Sequence, residues 1–212
     1  QLLAYPPVEE GSEVQTFEQF VAEFDWSKVN TVGPIFDLNK LDWLNGLYIR
    51  ATPDDELADL IVEYAVSQGQ LVDPSASTVQ IIRAATPLIK ERLVTLAEAV
   101  GKIEFLLLPD EQIVVTDEAR ATLPEDAAST LDAALAALID VPTWSKEHIE
   151  QALRTALVED LGIKPKFAFG SVRTAVSGQK VSPPLFESLE ILGRESALAR
   201  IQNLRDDLLN EM

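Results

Sequence analysis

The chain has 212 residues, no cysteine, a single histidine and a formal charge of −18. Its length allows one large or two small domains with proper cores, and the lack of cysteine excludes disulfides and thiolate metal sites. No apolar run approaches the roughly 18 residues of a membrane-spanning helix and no signal-peptide layout opens the chain, so a soluble cytoplasmic protein is expected. The first residues, L-L-A-Y-P-P-V-E-E-G, are loop-like and suggest a fragment or a processed product rather than a natural start.

Thr16 caps a short predicted helix, Phe17 to Phe24, with Phe17, Phe20, Val21 and Phe24 on one side. Asp25 to Pro34 is a connection rich in turn formers. Asp37 then caps a helix in F-D-L-N-K-L-D-W-L-N-G-L-Y-I-R. Its Leu38, Leu41, Leu44 and Leu47, with Trp43 and Tyr48, predict a buried element, and Asn45-Gly46 marks a local irregularity. Thr52-Pro53-Asp54-Asp55 combines a cap, a proline at the first position and acids in the first turn. That helix is expected to reach about Ser67 and to end at Gly69. Pro74 to Ala85 and Pro87 to Val100 read as two more helices, and Phe105 to Leu108 and Ile113 to Val115 as a helix end and an extended connection. Thr116 to Leu123, Glu125 to Ile139 and Lys146 to Leu161 complete the middle of the chain, the last capped by Ser145. Gly162 and Pro165 separate it from Phe167 to Ala175.

The stretch V-S-P-P-L-F-E-S-L-E-I-L-G-R-E-S-A-L-A-R-I, residues 181–201, carries the strongest signals. Ser182 suits an N-cap and Pro183 a first helical position. Leu185, Leu189 and Leu192 recur at helical spacing, and Gly193 suits the left-handed turn that ends a helix. Ala197, Leu198, Ile201 and Leu204 form a second amphipathic run. Arg173 and Lys180 lie just upstream. A turn of exposed backbone held on a rigid helical pair can touch a partner without bending. No sustained strand alternation and no fixed repeat occur, so the fold is expected to be all-α. The composition shift at D-V-P-T-W-S, Asp140 to Ser145, is the best internal boundary.

The charge is unevenly spread. Residues 1–160 hold ten basic against twenty-nine acidic side chains, whereas residues 161–205 hold seven basic against three acidic. An acidic bulk repels generic polyanions, and a local basic end can still accept one docked in a fixed pose. On charge alone, a solvated helix face fits equally well. Catalytic constellations are lacking: His148 has no Cys or second His near it, which disfavours zinc and a general base alike. Gly170, Gly178 and Gly193 are too far apart for a phosphate cradle, and each reads as a helix end. The carboxylate clusters read as first-turn dipole partners or solvated faces, and Trp26, Trp43 and Trp144 as core or boundary residues. Arg83, Lys90 and Arg92 read by default as solvated helix faces.

Residues 181–201, preceded by S-V-R-T-A-V-S-G at 171–178, resemble the C-terminal anticodon-binding region of bacterial glutamyl-tRNA synthetases. Residues 36–50 resemble the segment that joins that family's catalytic core to its helical domains, and P-L-I-K-E-R-L-V-T-L-A-E at 87–98 resembles a helix between the two. The resemblance implies two successive helical domains of the α-helical cage type. Residues 1–50 would be the end of a stem-contact domain, 51–142 the first part of the anticodon-binding region and 143–212 its C-terminal part. It further implies a monomeric partner of glutamate-specific tRNA, with no membrane contact.

The family's H-x-G-H and K-x-S-K motifs are missing from this sequence. ATP and Mg chemistry would therefore belong to a catalytic domain outside it, with no cofactor in this piece and no ligation by it alone. Carried over by position, the resemblance assigns anticodon contact to Arg173, Ser182, Leu185 and Arg92. Arginine offers a planar fork, Ser182 a hydrogen bond, and Leu185 an apolar floor for an unstacked base. Lys164, Lys166 and Lys180 would attract phosphates without reading sequence. An acidic helical protein-interaction scaffold without RNA contact is the alternative.

Overall fold

A computed structural model describes Tyr5, residues 14–30 and residues 37–210. The expected opening loop, apart from Tyr5, and residues 31–34 of the expected connection from Asp25 to Pro34 lie outside the described residues. Among the described residues the regular structure is helical throughout, as expected, with no strand. The α-helices are α1 (Phe17–Glu23), α2 (Leu38–Ala51), α3 (Asp54–Ser67), α4 (Ala76–Ile89), α5 (Ala99–Leu107) and α6 (Asp117–Arg120). After them come α7 (Ala127–Ile139), α8 (Lys146–Leu153), α9 (Pro165–Ser177), α10 (Leu185–Leu192) and α11 (Arg194–Asn210). Tight 3-10 turns at Lys90–Arg92 and Leu96–Glu98 link α4 to α5.

One apolar core runs from Ile49 at the end of α2 to Leu204 in α11. Leu57 and Ile61 of α3, Ile82 of α4, Ile103 of α5, Leu131 and Leu138 of α7, Ile149 of α8, Leu189 of α10 and Ile201 of α11 are sealed in it. α11 lies along α7 and α9, and α10 packs on α4, α5, α8 and α9. Helices from residues 51–142 and from 143–212 therefore share their burial. The connection Asp140 to Ser145 is fastened to the second group. Val141 is buried, the Trp144 indole N–H donates to the Leu189 carbonyl at 2.9 Å, and the Arg194 guanidinium lies 5.2 Å over the Trp144 ring.

Local signals fared unevenly. Thr16 forms a full capping box with Gln19, and the Asp37 carboxylate accepts from the Lys40 N–H at 3.1 Å. α2, however, is not buried: Leu38, Leu41, Trp43 and Tyr48 are exposed, and Gly46 and Ile49 are its buried residues. It packs on the Lys90–Arg92 turn, so one narrow stripe is covered. Its Asn45-Gly46 pair leaves the helix continuous, and the Asn45 amide donates to the Val94 carbonyl. Trp26 is 81% exposed, so neither it nor Trp43 is a core residue. Thr52 closes α2 by donating to the Tyr48 carbonyl, and α3 starts without a side-chain cap.

Pro87 does not start a helix; it sits inside α4, on an exposed position. The chain breaks instead at Leu93 to Thr95. There the Glu98 carboxylate accepts from the Thr95 N–H at 3.1 Å and from the Val94 N–H, which restarts the chain into α5. The predicted helix from Lys146 to Leu161 turns into a π-helical stretch at Arg154–Asp160. Ser182 is not an N-cap either, since α10 starts at Leu185. Arg200, one of the seven basic residues near the C-terminus, is 3% exposed. It pairs with Asp110 at 2.6 Å and donates to the carbonyls of Phe105, Val176 and Leu108.

Candidate nucleic-acid interface

α9 begins with Pro165 at its first turn and buries Ala168, Val172, Ala175 and Val176, a helical spacing that leaves Arg173 at the edge of the core. The helix ends at Gly178, whose φ of 69° lies in the left-handed region. No other residue fits there, because a Cβ would collide with the Val114 carbonyl. Thr116 holds the Gly178 carbonyl with its N–H at 2.9 Å and its hydroxyl at 3.2 Å. The loop 179–184 therefore leaves a fixed point.

Arg173 fastens the far side of that loop. Its Nη1 donates to Ser182 Oγ at 2.7 Å, to the Pro183 carbonyl at 2.9 Å and to the Ser182 carbonyl at 3.2 Å. Ser182 fails as a helix cap because this arginine, nine residues upstream, takes its hydroxyl. Nε and Nη2 of Arg173 have no partner among the described residues. Burial, and then the positive charge of Arg92, push the Arg173 guanidinium below its ordinary pKa; it remains charged. No carboxylate among the described residues pairs with Arg173 or Arg92. Two cations are held near each other and uncompensated.

Arg92 reaches this place from the 3-10 turn after α4. The turn is held because the Lys90 ammonium pairs with Asp54 at 2.8 Å and Leu93 is sealed in the core. Between this turn and the loop runs a groove of about 370 Å³, lined by Arg92, Gly101 and Lys102 on one side and Gln179, Val181, Ser182 and Pro183 on the other. Glu98, the one acid on its wall, is engaged by Lys102 at 2.9 Å and by the Val94 and Thr95 N–H groups. A second groove of about 800 Å³ lies beyond Val181, and Lys166, Arg173 and Lys180 line it.

Of the residues chosen from the sequence, Arg92 and Ser182 thus face one groove, and Arg173 bridges to the next. Lys166 and Lys180 border the second groove, and Lys164 is exposed at the N-cap of α9, lining neither. Leu185 is placed differently from the expectation. It is 5% exposed and packs in the apolar core, so its side chain anchors the turn and does not lay the open apolar floor expected of it. Sequence reasoning missed Lys102, Gln179 and Val181. The T-L-A-E at 95–98 is the capping-box signature that would have broken the helix there and exposed the groove wall. Among the described residues no cluster of His, Asp or Glu is placed to hold a metal ion, and no helix is long and apolar enough to cross a membrane.

An all-helical platform that converges cations on an open groove defines a binding module for an anionic ligand. The chain belongs to the anticodon binding domain family, whose model matches residues 56–205. It is similar to the glutamate–tRNA ligase of Acidothermus cellulolyticus, 47% identical over 91% of this chain and 39% of that protein. The glutamate–tRNA ligase of Cutibacterium acnes is 45% identical over 98% of this chain and 43% of its own length. A glutamate tRNA ligase structure from Elizabethkingia meningosepticum superposes with a TM-score of 0.80 at 19% identity, covering 98% of this chain and 39% of that one, which supports the fold. The chain spans about two fifths of the length of these relatives.

Proposed function

We propose that this chain is the tRNA-recognising part of a glutamate–tRNA ligase and that it reads the unpaired anticodon of glutamate-specific tRNA. One observation carries the reading: Arg92 and Ser182, brought from separate parts of the chain, face one groove, Arg173 holds Ser182 from behind and opens on the next groove, and no carboxylate among the described residues pairs with either arginine. An unpaired nucleotide supplies both the phosphate charge and the base edge that such a pair of guanidiniums accepts. Leu185 and Pro183 hold the turn, and Lys164, Lys166 and Lys180 draw the backbone in. Ligation, with its ATP and magnesium, would belong to another part of the enzyme. This piece would bind without a cofactor, as a monomer, in the cytoplasm.

The test is a filter-binding titration of the chain with glutamate tRNA and with the same tRNA carrying a foreign anticodon. Cognate preference is expected, and Arg92→Ala should reduce it by about 1–3 kcal/mol. Equal binding of the two tRNAs sinks the reading. No binding at low salt would favour the acidic scaffold instead.

A further inference from the structure

We infer that Arg200 is a positioning residue for the first groove: it touches no ligand, and it fixes how far α5 stands from the loop that follows α9. Its consequence for the choice of tRNA rests on the reading above; its effect on the width of the groove does not.

The two walls of that groove have their roots at one guanidinium. Gly101 and Lys102 line one wall, and Phe105 lies one turn further along α5. Gln179, Val181, Ser182 and Pro183 line the other, and Val176 comes just before the Gly178 from which that loop departs. Arg200 Nη1 donates to the Phe105 carbonyl at 2.7 Å and to the Val176 carbonyl at 3.0 Å. A single nitrogen thus ties the last turn of α5 to the last turn of α9. Both carbonyls need an outside donor, because the last turn of a helix leaves its C=O groups without helical partners. For Phe105 the helical donor is ruled out altogether, since the residue one turn on is Pro109, which has no N–H. A cation set at two helix C-termini also complements both dipoles.

The rest of the fork extends the grip. Nη2 donates to the Leu108 carbonyl at 2.9 Å and Nε to the Asp110 carboxylate at 2.6 Å. The connection from Leu108 to Thr116 is therefore fastened by Arg200 at one end and by the Thr116–Gly178 bonds at the other. Ile113 and Val115 pack on the core between them. Stability alone does not call for such a residue. A guanidinium 3% exposed has shed its water, and well-packed apolar side chains of similar volume often serve a buried site as well or better. What they cannot supply is direction. Apolar contacts let helices slide by small steps, whereas hydrogen bonds from a planar fork hold two backbones in one register.

The chain has no cysteine, so a pair of spin labels can be attached at Glu104→Cys in α5 and Val181→Cys in the loop, both exposed positions. Double electron–electron resonance then reads the distance between α5 and the loop without any RNA. The comparison is of the labelled parent with Arg200→Lys, Arg200→Met and Arg205→Ala. Lysine can keep Asp110 but cannot span the three carbonyls, and methionine fills the space without a donor. Arg205 lies on the same helix and pairs with Asp132 of α7 instead. Both Arg200 variants, at a temperature where circular dichroism shows them folded, should shift or broaden the label distance by about 1–2 Å. Without labels, they should lose about threefold or more of the preference for glutamate tRNA over the same tRNA with a foreign anticodon. Arg205→Ala should change neither quantity. The inference is overturned by an unchanged distance in the Arg200 variants, by the same change in Arg205→Ala, by an altered distance with preference intact, or by failure of both Arg200 variants to fold. Equal binding of the two tRNAs by the wild-type chain would sink the reading of the groove as an anticodon site, and the label distances would still decide whether Arg200 sets its width.

Discussion

Arg200, Arg173 and Arg92 share one side chain type and stand in three different settings. Arg200 is sealed in the core, where Asp110 and three carbonyls consume its donors. Nothing in the local sequence separated it from the other basic residues near the C-terminus, because its partners lie far away along the chain. Arg173 is split between structure and, in the reading proposed above, recognition. Nη1 alone fastens Ser182 and Pro183, and the other edge of the fork is left over. Arg173→Lys should therefore retain the loop, since one ammonium can replace Nη1, yet lose the free edge. The expected outcome is an unchanged urea midpoint with about 1–3 kcal/mol less cognate tRNA preference. A drop in the midpoint instead would assign Arg173 to structure.

Helix existence was legible wherever apolar spacing was regular, and helix ends were legible where the capping partner is local, as at Thr16 and Asp37. Ends failed where a distant group intervened. Arg173 claimed Ser182, and the continuous heptad-like run 87–100 hid the break made by Glu98. That break sets where Arg92 points, so its cap governs the first groove. Burial raises the Glu98 pKa, but the hydrogen bond from Lys102 and the N–H groups of Val94 and Thr95 outweigh it, and the net shift is downward. A carboxyl lowered by folding stabilises the fold above its unfolded pKa and loses that contribution as pH falls through the folded value. Glu98→Ala should cost about 1 kcal/mol at neutral pH and narrow the difference from wild type on the acid side of the ordinary carboxylate range. Denaturant midpoints measured from neutral to acid pH check this; a constant difference would remove Glu98 from the cap. The site was less legible than the elements: sequence named Arg92, Arg173 and Ser182, but the grooves arise from the meeting of turns that periodicity does not place.

Over the whole molecule, a strongly acidic body carries a small cationic face, so attraction to a polyanion is short-ranged and sensitive to screening. With Arg92, Lys166, Arg173 and Lys180 as the backbone contacts, log affinity for a single-stranded loop should fall against log salt with a slope of about −3, roughly 0.7 for each cation. A slope near zero in the binding isotherms would detach these cations from phosphate contact. The common core of α3 to α11 adds one more consequence. Arg92 stands on one jaw and Ser182 on the other, and both jaws are cast in the same apolar block, with α10 bearing on α4 and α5. In the proposed reading, the gap between them works as a fixed calliper, set before anything is measured. Shaving a buried leucine far from any ligand, such as Leu189, would reset the gauge and blur what the jaws can tell apart.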